Sequence, residues 1–280
     1  LGTGDWSGES ATSSLFEASS SWLADLQQED GSVGVSHDLP APRWPTALAS
    51  LLWSQNDNPT QPNRQRQALA RALRWLLGRN GRTFARPSDG ILGHDTSIPG
   101  WPWVEGTHPW LEPTALSMLV LCQNGMAQHQ RVQQGVRMLL DRTVARGGWN
   151  MGNSTVFGRS LRPQAGPTGM ALLALRAAGQ PKSPRVVKGC QYLGNTLPAI
   201  RSPSSLSWGL LGLQAWGEQP READRWLEES FTRAPALATS PVRLSMLLLA
   251  TSRQTLSRLG VEVASKGTSP ATLESLTNPT

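Results

Sequence analysis

The sequence predicts an all-α protein, an α/α toroid in which five to six helical hairpins form an inner and an outer ring of helices. Three observations predict this fold. Strand-favouring aromatics are scarce, with 4 Phe and 1 Tyr in 280 residues. An aromatic residue or Met followed by Leu recurs along the chain, and an apolar helix with small residues follows each such pair. We expect one domain over residues 1–266 and a loose tail rich in Ser, Thr and Pro over residues 267–280.

The first helix of each hairpin is expected to be amphipathic and therefore to belong to the outer ring. Residues 71–77 (Arg-Ala-Leu-Arg-Trp-Leu-Leu) show apolar side chains at helical spacing with arginines between them. The recurring pair lies late in each of these helices, at Trp22-Leu23, Trp75-Leu76, Met138-Leu139, Tyr192-Leu193 and Trp226-Leu227.

The second helix of each hairpin is apolar almost all round, which predicts the inner ring. Pro followed by Thr opens three of these helices, since Pro suits a first helical turn, at residues 45–48, 113–116 and 167–170. Residues 210–217 match residues 172–179, residues 241–250 supply a fifth inner helix, and a sixth amphipathic piece is expected from 252 to 259. Because the units differ in length, they favour a closed ring with long loops at its mouth over a uniform open stack.

Positive charge is concentrated in one segment. Seven Arg and one Asp give residues 61–90 a net charge of +6, which equals that of the whole chain. The segment Arg64–Arg86 is either a solvated helix face or a contact for an anionic membrane surface. No nucleic-acid module surrounds it, so no nucleic acid is expected as a partner. No apolar run approaches the roughly 20 residues of a membrane span, and a cytoplasmic or membrane-peripheral location is expected.

Several motifs resemble those of a known superfamily. They are Trp22-Leu23 with Gln27, Gln28 and Asp30–Ser32, then Gly147–Asn150, and the Pro-Thr helix starts. Over residues 12–250 the chain resembles the terpenoid cyclase and protein prenyltransferase α/α toroids, particularly bacterial proteins with prenyltransferase and squalene oxidase repeats. Val33 stands where the Gln-and-Trp repeat motif usually has its Trp. The resemblance implies a polyisoprenoid-binding protein of the terpene cyclase or prenyltransferase type.

Tryptophan is unusually frequent, at 12 residues. Six of these lie in loops before second helices or in their first turns, namely Trp44, Trp101, Trp103, Trp110, Trp149 and Trp208. Flat indole faces at the mouth of a ring are suited to lining a pocket for an isoprenoid-like apolar ligand. The alternative is that they fill the ring and pack its loops.

The resemblance also singles out Glu112 as a catalytic acid. Class II terpene cyclases protonate an alkene through an Asp-x-Asp-Asp-Thr-Ala motif, and Glu112 falls on its central Asp in the stretch 110–115. A carboxyl group in an apolar site has a raised pKa and can donate a proton. Trp110 and Pro113 replace the flanking aspartates, and the other interpretation of Glu112 is a carboxylate favoured by the N-terminus of a helix.

The loop from Asn80 to Glu112 is the longest within a hairpin, and long loops in compact domains are often functional. It supplies a second candidate catalytic group, composed of His94, Asp95, Glu105 and His108. His and carboxylate side chains are competent metal ligands, so this group could also hold a metal ion, and the alternative is a hydrogen-bonded loop network. The Asp-x-Cys pair that the protein prenyltransferases use for zinc does not occur here, and no metal or cofactor is expected. Three functions stay open: an isoprenoid-binding cyclase-like protein, a non-catalytic toroid that binds a protein or glycan, and another enzyme acting through this loop.

Overall fold

The computed structural model describes residues 8–55, 63–85, 92–233, 240–252 and 254–263, and it is mostly helical within them. The prediction of an all-α fold is confirmed. The helices of this part of the chain are α1 (Gly8–Asp25), α2 (Pro45–Trp53), α3 (Asn63–Gly78), α4 (Leu111–Gln123), α5 (Gln130–Asp141), α6 (Ala165–Ala177), α7 (Pro184–Thr196), α8 (Pro203–Ala215), α9 (Ala223–Thr232), α10 (Pro241–Thr251) and α11 (Thr255–Arg258). A small antiparallel hairpin, β1 (Thr155–Val156) and β2 (Arg159–Ser160), lies between α5 and α6.

Even-numbered helices from α2 to α10 contact one another in succession, and the odd-numbered helices from α1 to α9 pack beside them. The two sets of helices also differ in how much of their surface is buried. Every residue from Pro113 to Leu121 in α4 is buried, whereas α5 buries one stripe that includes Val132, Val136 and Leu139. Apolar helices therefore form the core layer and amphipathic helices cover it, as their sequences predict.

A threonine hydroxyl links the first three core-layer helices to the loops before them. In each case the hydroxyl oxygen accepts a hydrogen bond from one loop backbone N–H, at 2.9, 3.0 and 2.9 Å. The pairs are Thr46 with Val33, Thr114 with Trp101 and Thr168 with Trp149. All three threonines are fully buried, so the bond satisfies a loop amide that water does not reach. This bond explains why Pro-Thr recurs in the sequence.

The helix start predicted at Pro-Thr is right for α2, but α4 and α6 begin two residues earlier than predicted. α2 begins at Pro45, but α4 begins at Leu111 and α6 at Ala165, two residues before Pro113 and Pro167. Pro remains tolerated there because the N–H groups of a first turn have no intrahelical acceptor. As a result, Glu112 lies inside the first turn of α4 and not before it.

The segment after α10 crosses the carboxyl ends of the core layer. The carbonyl oxygen of Arg258 accepts hydrogen bonds from Gln55, just after α2, and from Gln123 at the end of α4. Leu256 and Val261 are buried in the main core. The sixth amphipathic piece predicted at 252–259 is therefore a one-turn helix that caps the core layer. The tail predicted at 267–280 lies outside the described residues.

Candidate functional site

A cleft of about 110 Å³ lies where α3 ends and where α2 and α4 begin. Four tryptophans and a charged rim line it, together with small and apolar residues from the three helices. The tryptophans are Trp44, Trp75, Trp101 and Trp103, and the charged residues are Arg43, Arg79 and Glu105. Three of the six tryptophans predicted to line a pocket thus meet in one cleft, and Trp75 joins them.

The tryptophans of the cleft have different roles. Trp101 is 2% exposed, and its indole N–H donates to the carbonyl of Leu76 at 2.9 Å. Trp44 and Trp103 are half-buried and meet edge to face, with ring centroids 5.3 Å apart. Such a geometry is favoured by the aromatic quadrupole. Trp101 therefore forms a fixed floor, while Trp44 and Trp103 keep part of their surfaces open to a ligand.

Arg131 supports this floor from below. Its guanidinium lies 3.7 Å from the centroid of a Trp101 ring and donates to the carbonyls of Arg79 and Gly100 at 2.7 and 3.3 Å. Burial lowers the pKa of Arg131 to about 10, so the side chain stays charged at neutral pH. The cation–π contact and these bonds hold the end of α3 and the loop around Trp101 together.

Two arginines and two carboxylates form a closed network at the rim. Arg43 lies 3.4 Å from Asp30 and 3.0 Å from Glu105. Arg79 lies 3.3 Å from Asp30 and 3.7 Å from Glu105. Each cation therefore faces both anions, and the four charges sum to zero. The Arg43 Nε atom is buried and has no hydrogen-bond acceptor among the described residues.

Asp30 joins this network to the tryptophans. Its carboxylate accepts hydrogen bonds from the Trp75 indole N–H at 3.1 Å and from the Ser32 hydroxyl at 2.6 Å. Burial by itself would raise the pKa of Asp30, but the hydrogen bonds from Ser32 and the charge of Arg43 outweigh it and hold the pKa below its usual value. Asp30 is thus ionised at neutral pH and unsuited to donate a proton.

The four residues of the second candidate catalytic group do not all lie in the tryptophan cleft, since only Glu105 lines it. Glu105 belongs to the rim described above. Asp95 accepts hydrogen bonds from Ser97, and its backbone N–H donates to Asp141 at 2.9 Å. His94 is buried beside Asp95 in the chain. In the part of the chain that the structure describes, no three His, Cys, Asp or Glu residues are arranged to hold a metal ion.

His108 and Trp110 lie together in front of α4. Their ring centroids are 4.5 Å apart. Partial burial lowers the pKa of His108, and the charge of Arg142 lowers it further. The imidazole is accordingly neutral over most of the physiological range, where it serves as an acceptor or packs against the indole.

Glu112 is the one predicted acid whose surroundings favour its protonated form. It is half-buried in the first turn of α4, and burial raises its pKa. No hydrogen bond or ion pair joins its carboxylate to another described residue. These are the properties expected of a proton donor, although Glu112 does not line the tryptophan cleft.

The remaining predicted tryptophans lie elsewhere. Trp149 is fully buried, and its indole N–H donates to the carbonyl of Leu139 at 2.6 Å. This bond repeats the one from Trp101 to Leu76 in the preceding hairpin, so both indoles tie a loop to the end of the amphipathic helix before it. Trp208 is half-buried in α8 and packs on the main core.

Sequence reasoning missed Trp75, Arg43 and Asp30 as site residues. Trp75 occupies the recurring aromatic-Leu position of an amphipathic helix, which gives no sign of a site, yet it lies in the last turns of α3, where its indole reaches the rim. Asp30 was visible in the Asp-Gly-Ser motif, and its spacing from Arg43 and Arg79 gave no sign that they meet.

Several arginines of the segment Arg64–Arg86 have partners within the protein. Arg64 pairs with Asp25, and Arg71 donates to the side-chain oxygen of Gln27. Arg79 belongs to the rim, Arg82 lies 4.9 Å from the ring centroid of Phe84, and Arg86 is outside the described residues. In the described part of the chain, no helix has both the length and the apolar character needed to span a bilayer.

No protein-family model matches this chain, and a search of curated proteins finds no match to it.

Proposed function

We propose that this protein binds a glycan and that the cleft around Trp44 and Trp103 receives one sugar ring. The observation that carries the proposal is the half-buried pair of indoles beside a charge-balanced rim. This proposal corresponds to the non-catalytic function that the sequence leaves open, a toroid that binds a protein or glycan.

The chemistry of the cleft is matched to a sugar. The apolar C–H face of a pyranose packs on an indole, which supplies a large and rigid contact surface. Its hydroxyl groups need both donors and acceptors at the edge of the ring. Arg43 and Arg79 supply guanidinium donors at the edge of the cleft, and Glu105 supplies carboxylate acceptors there. A few fixed polar groups around an aromatic surface are typical of small-molecule sites.

Charge and size argue against a polyisoprenoid diphosphate in this cleft. A diphosphate requires surplus positive charge, but Asp30 and Glu105 neutralise Arg43 and Arg79. The volume of about 110 Å³ is also well below the roughly 300–1,000 Å³ of pockets that enclose drug-sized ligands. A neutral ring with hydroxyl groups therefore fits better than a long hydrocarbon with a charged head.

We propose further that the core layer curves into an α/α toroid related to the terpenoid cyclase and prenyltransferase proteins. The succession of contacts from α2 to α10 supports this arrangement. So does the segment after α10, which returns to bond with Gln55 beside α2 and thereby connects the two ends of the layer. In this arrangement the tryptophan cleft lies at the mouth of the ring.

We expect Trp44→Ala to weaken glycan binding at least about tenfold, because a truncated aromatic anchor loses most of its contact energy. The first measurement is a glycan-array screen of the wild-type chain, followed by calorimetric titration of the best monosaccharide or disaccharide. Trp22→Ala is the matched control, since Trp22 is 57% exposed and lies outside the cleft, and it should bind within twofold of wild type. Equal loss in both variants, or no glycan bound by the wild type, would contradict the proposal.

Glu112 supports a second candidate function, acid-initiated cyclisation of an isoprenoid. The observation in its favour is a half-buried carboxyl group with a raised pKa and no partner among the described residues. The substrate would bind beside the first turn of α4 in a different place from the tryptophan cleft. His94, Asp95 and His108 are assigned no part in this proposed reaction.

If Glu112 is a general acid, any turnover must fall as the pH rises through its raised pKa, because only the protonated form donates. Native mass spectrometry with squalene and a panel of polyprenyl diphosphates provides the test at several pH values above the usual 4.5. Glu112→Gln is expected to abolish product formation and to leave substrate binding unchanged. Product formation by the variant would exclude Glu112 as the acid, and absence of binding to the wild type would exclude the isoprenoid function.

A further inference from the structure

We propose a second ligand site, an oxyanion site for a phosphate or sulfate group, on the surface between α7 and the loop that precedes β1. A cavity of about 350 Å³ opens there. Its lining is polar and basic, composed of Ala145, Arg146, Lys188, Gln191, Tyr192 and Asn195. This site is independent of the tryptophan cleft and of the glycan proposal.

The helical wall of the cavity is one face of α7. Lys188, Gln191, Tyr192 and Asn195 are spaced i, i+3, i+4 and i+7, so their side chains lie along a single stripe of the helix. The Tyr192 hydroxyl donates to the carbonyl of Pro163 at 2.9 Å, which anchors the ring. The ammonium of Lys188 and the two carboxamides remain as donors toward the cavity.

The loop brings Arg146 opposite this stripe. Gly147, the next residue, has φ +90°, and a Cβ at this position would lie 2.8 Å from the Cβ of Lys188. Only glycine combines this backbone conformation with such a close approach. The loop is thereby held against the backbone of α7, with Arg146 at the edge of the cavity.

The loop of the first hairpin has a glycine at the position equivalent to Gly147, but a different residue precedes it. There Gly31, also with positive φ, approaches Arg71 of α3 as closely as Gly147 approaches Lys188. The residue before Gly31 is Asp30, whose carboxylate accepts from Trp75 and pairs with Arg79. The residue before Gly147 is Arg146. A carboxylate in the first hairpin is therefore replaced by a guanidinium in the third.

With Arg146 in place of the aspartate, two cations, Arg146 and Lys188, line a cavity that has no acidic residue in its lining. No hydrogen bond or ion pair joins Arg146 or Lys188 to any other described residue, and no Asp or Glu lines the cavity. A tetrahedral oxyanion supplies the missing negative charge and accepts from several donors at once. The geometry thus assigns the cavity to the phosphate or sulfate class, whether the group is free in solution or part of a lipid headgroup.

The test is titration of the purified chain with inorganic phosphate at constant ionic strength, followed by NMR or calorimetry. We expect saturable binding, and we expect Arg146→Asp, which restores the acid of the first hairpin, to weaken it about tenfold or more. Lys188→Gln should weaken it in the same direction. Arg221→Asp is the matched control, because Arg221 is exposed and outside the cavity, and it should bind like the wild type.

Equal affinity in Arg146→Asp and the wild type, or no saturable binding of phosphate by the wild type, would overturn the proposal. Circular dichroism of each variant verifies folding, which exposed side chains should not disturb. Sedimentation with phosphatidylcholine vesicles containing phosphatidic acid identifies the source of the group. Co-sedimentation that inorganic phosphate competes away supports a lipid headgroup, whereas phosphate binding without co-sedimentation supports a soluble ligand.

Discussion

Gly169→Ala is expected to lower the free energy of unfolding by about 3 kcal/mol or more, at the upper end of the range for overpacking a core. A Cβ at Gly169 would lie 2.0 Å from the carbonyl oxygen of Trp208. The obstacle is backbone in the middle of α8 and cannot rotate away, so α6 and α8 would have to separate. Chemical denaturation followed by circular dichroism measures this effect.

The same crossing can be probed from its other side. A Cβ at Gly212 would lie 2.6 Å from the Cα of Gly169, so Gly212→Ala should be destabilising for the same reason. Because both substitutions act on one contact, their combined effect should be smaller than the sum of the two.

Gly194→Ala is the matched control for this prediction. Gly194 is exposed in α7, and a Cβ there meets no atom within 4 Å. Replacing a helical glycine by alanine at such a site should raise stability by about 0.5–1 kcal/mol, since the unfolded chain loses conformational freedom. If Gly169→Ala and Gly194→Ala changed stability equally, the close crossing of α6 and α8 would be wrong.

Trp149→Ala is expected to cost about 3–5 kcal/mol, the range for truncating a buried aromatic residue. Trp149 is fully buried, and its indole N–H donates to Leu139 at 2.6 Å while its backbone N–H donates to Thr168. Trp149→Phe keeps most of the ring but leaves the Leu139 carbonyl without its donor, so it should cost about 1–3 kcal/mol. Thermal and urea unfolding provide the measurement.

Trp22→Ala serves as the comparison for Trp149, because the side chain is more than half exposed and its loss should change stability by about 0.5 kcal/mol or less. Trp44→Ala should also have a smaller effect on stability than Trp149→Ala, while it weakens the proposed glycan binding. A loss of binding in Trp149→Ala without a loss of stability would contradict the division between framework and cleft tryptophans.

The repeat pattern predicted much of the fold. Apolar periodicity distinguished the core-layer helices from the amphipathic ones, and the Pro-Thr motif predicted where three of them start to within two residues. The sequence does not show why the motif recurs. The hydroxyl of Thr168 accepts a hydrogen bond from the backbone of Trp149, which lies 19 residues earlier in the chain, and local sequence does not display such a contact. Val33 occupies the same position in the first hairpin, and it makes the same backbone bond without an indole.

The candidate site was predicted only in part. Trp44, Trp101 and Trp149 all precede or begin a core-layer helix, so local sequence gives them the same interpretation. Their exposure differs because the indoles of Trp101 and Trp149 pack against Gly135 of α5 and Gly189 of α7, whereas Trp44 lines the cleft. Glu105, taken as part of a catalytic group with His94, Asp95 and His108, instead meets Arg43, which lies 62 residues away in the chain.

Local sequence by itself determined the helices, their alternation of apolar and amphipathic character, and the residue types that gather at the loops. These properties depend on spacings within about one to five turns of a helix, which a sequence displays directly. Tertiary structure decided which tryptophans form a framework and which line a cleft. It also placed Asp30 beside Arg43 and Arg79, and it placed Arg146 and Lys188 in the lining of one cavity. Burial and charge pairing depend on which distant segments meet, and that is settled only when the helices pack against one another.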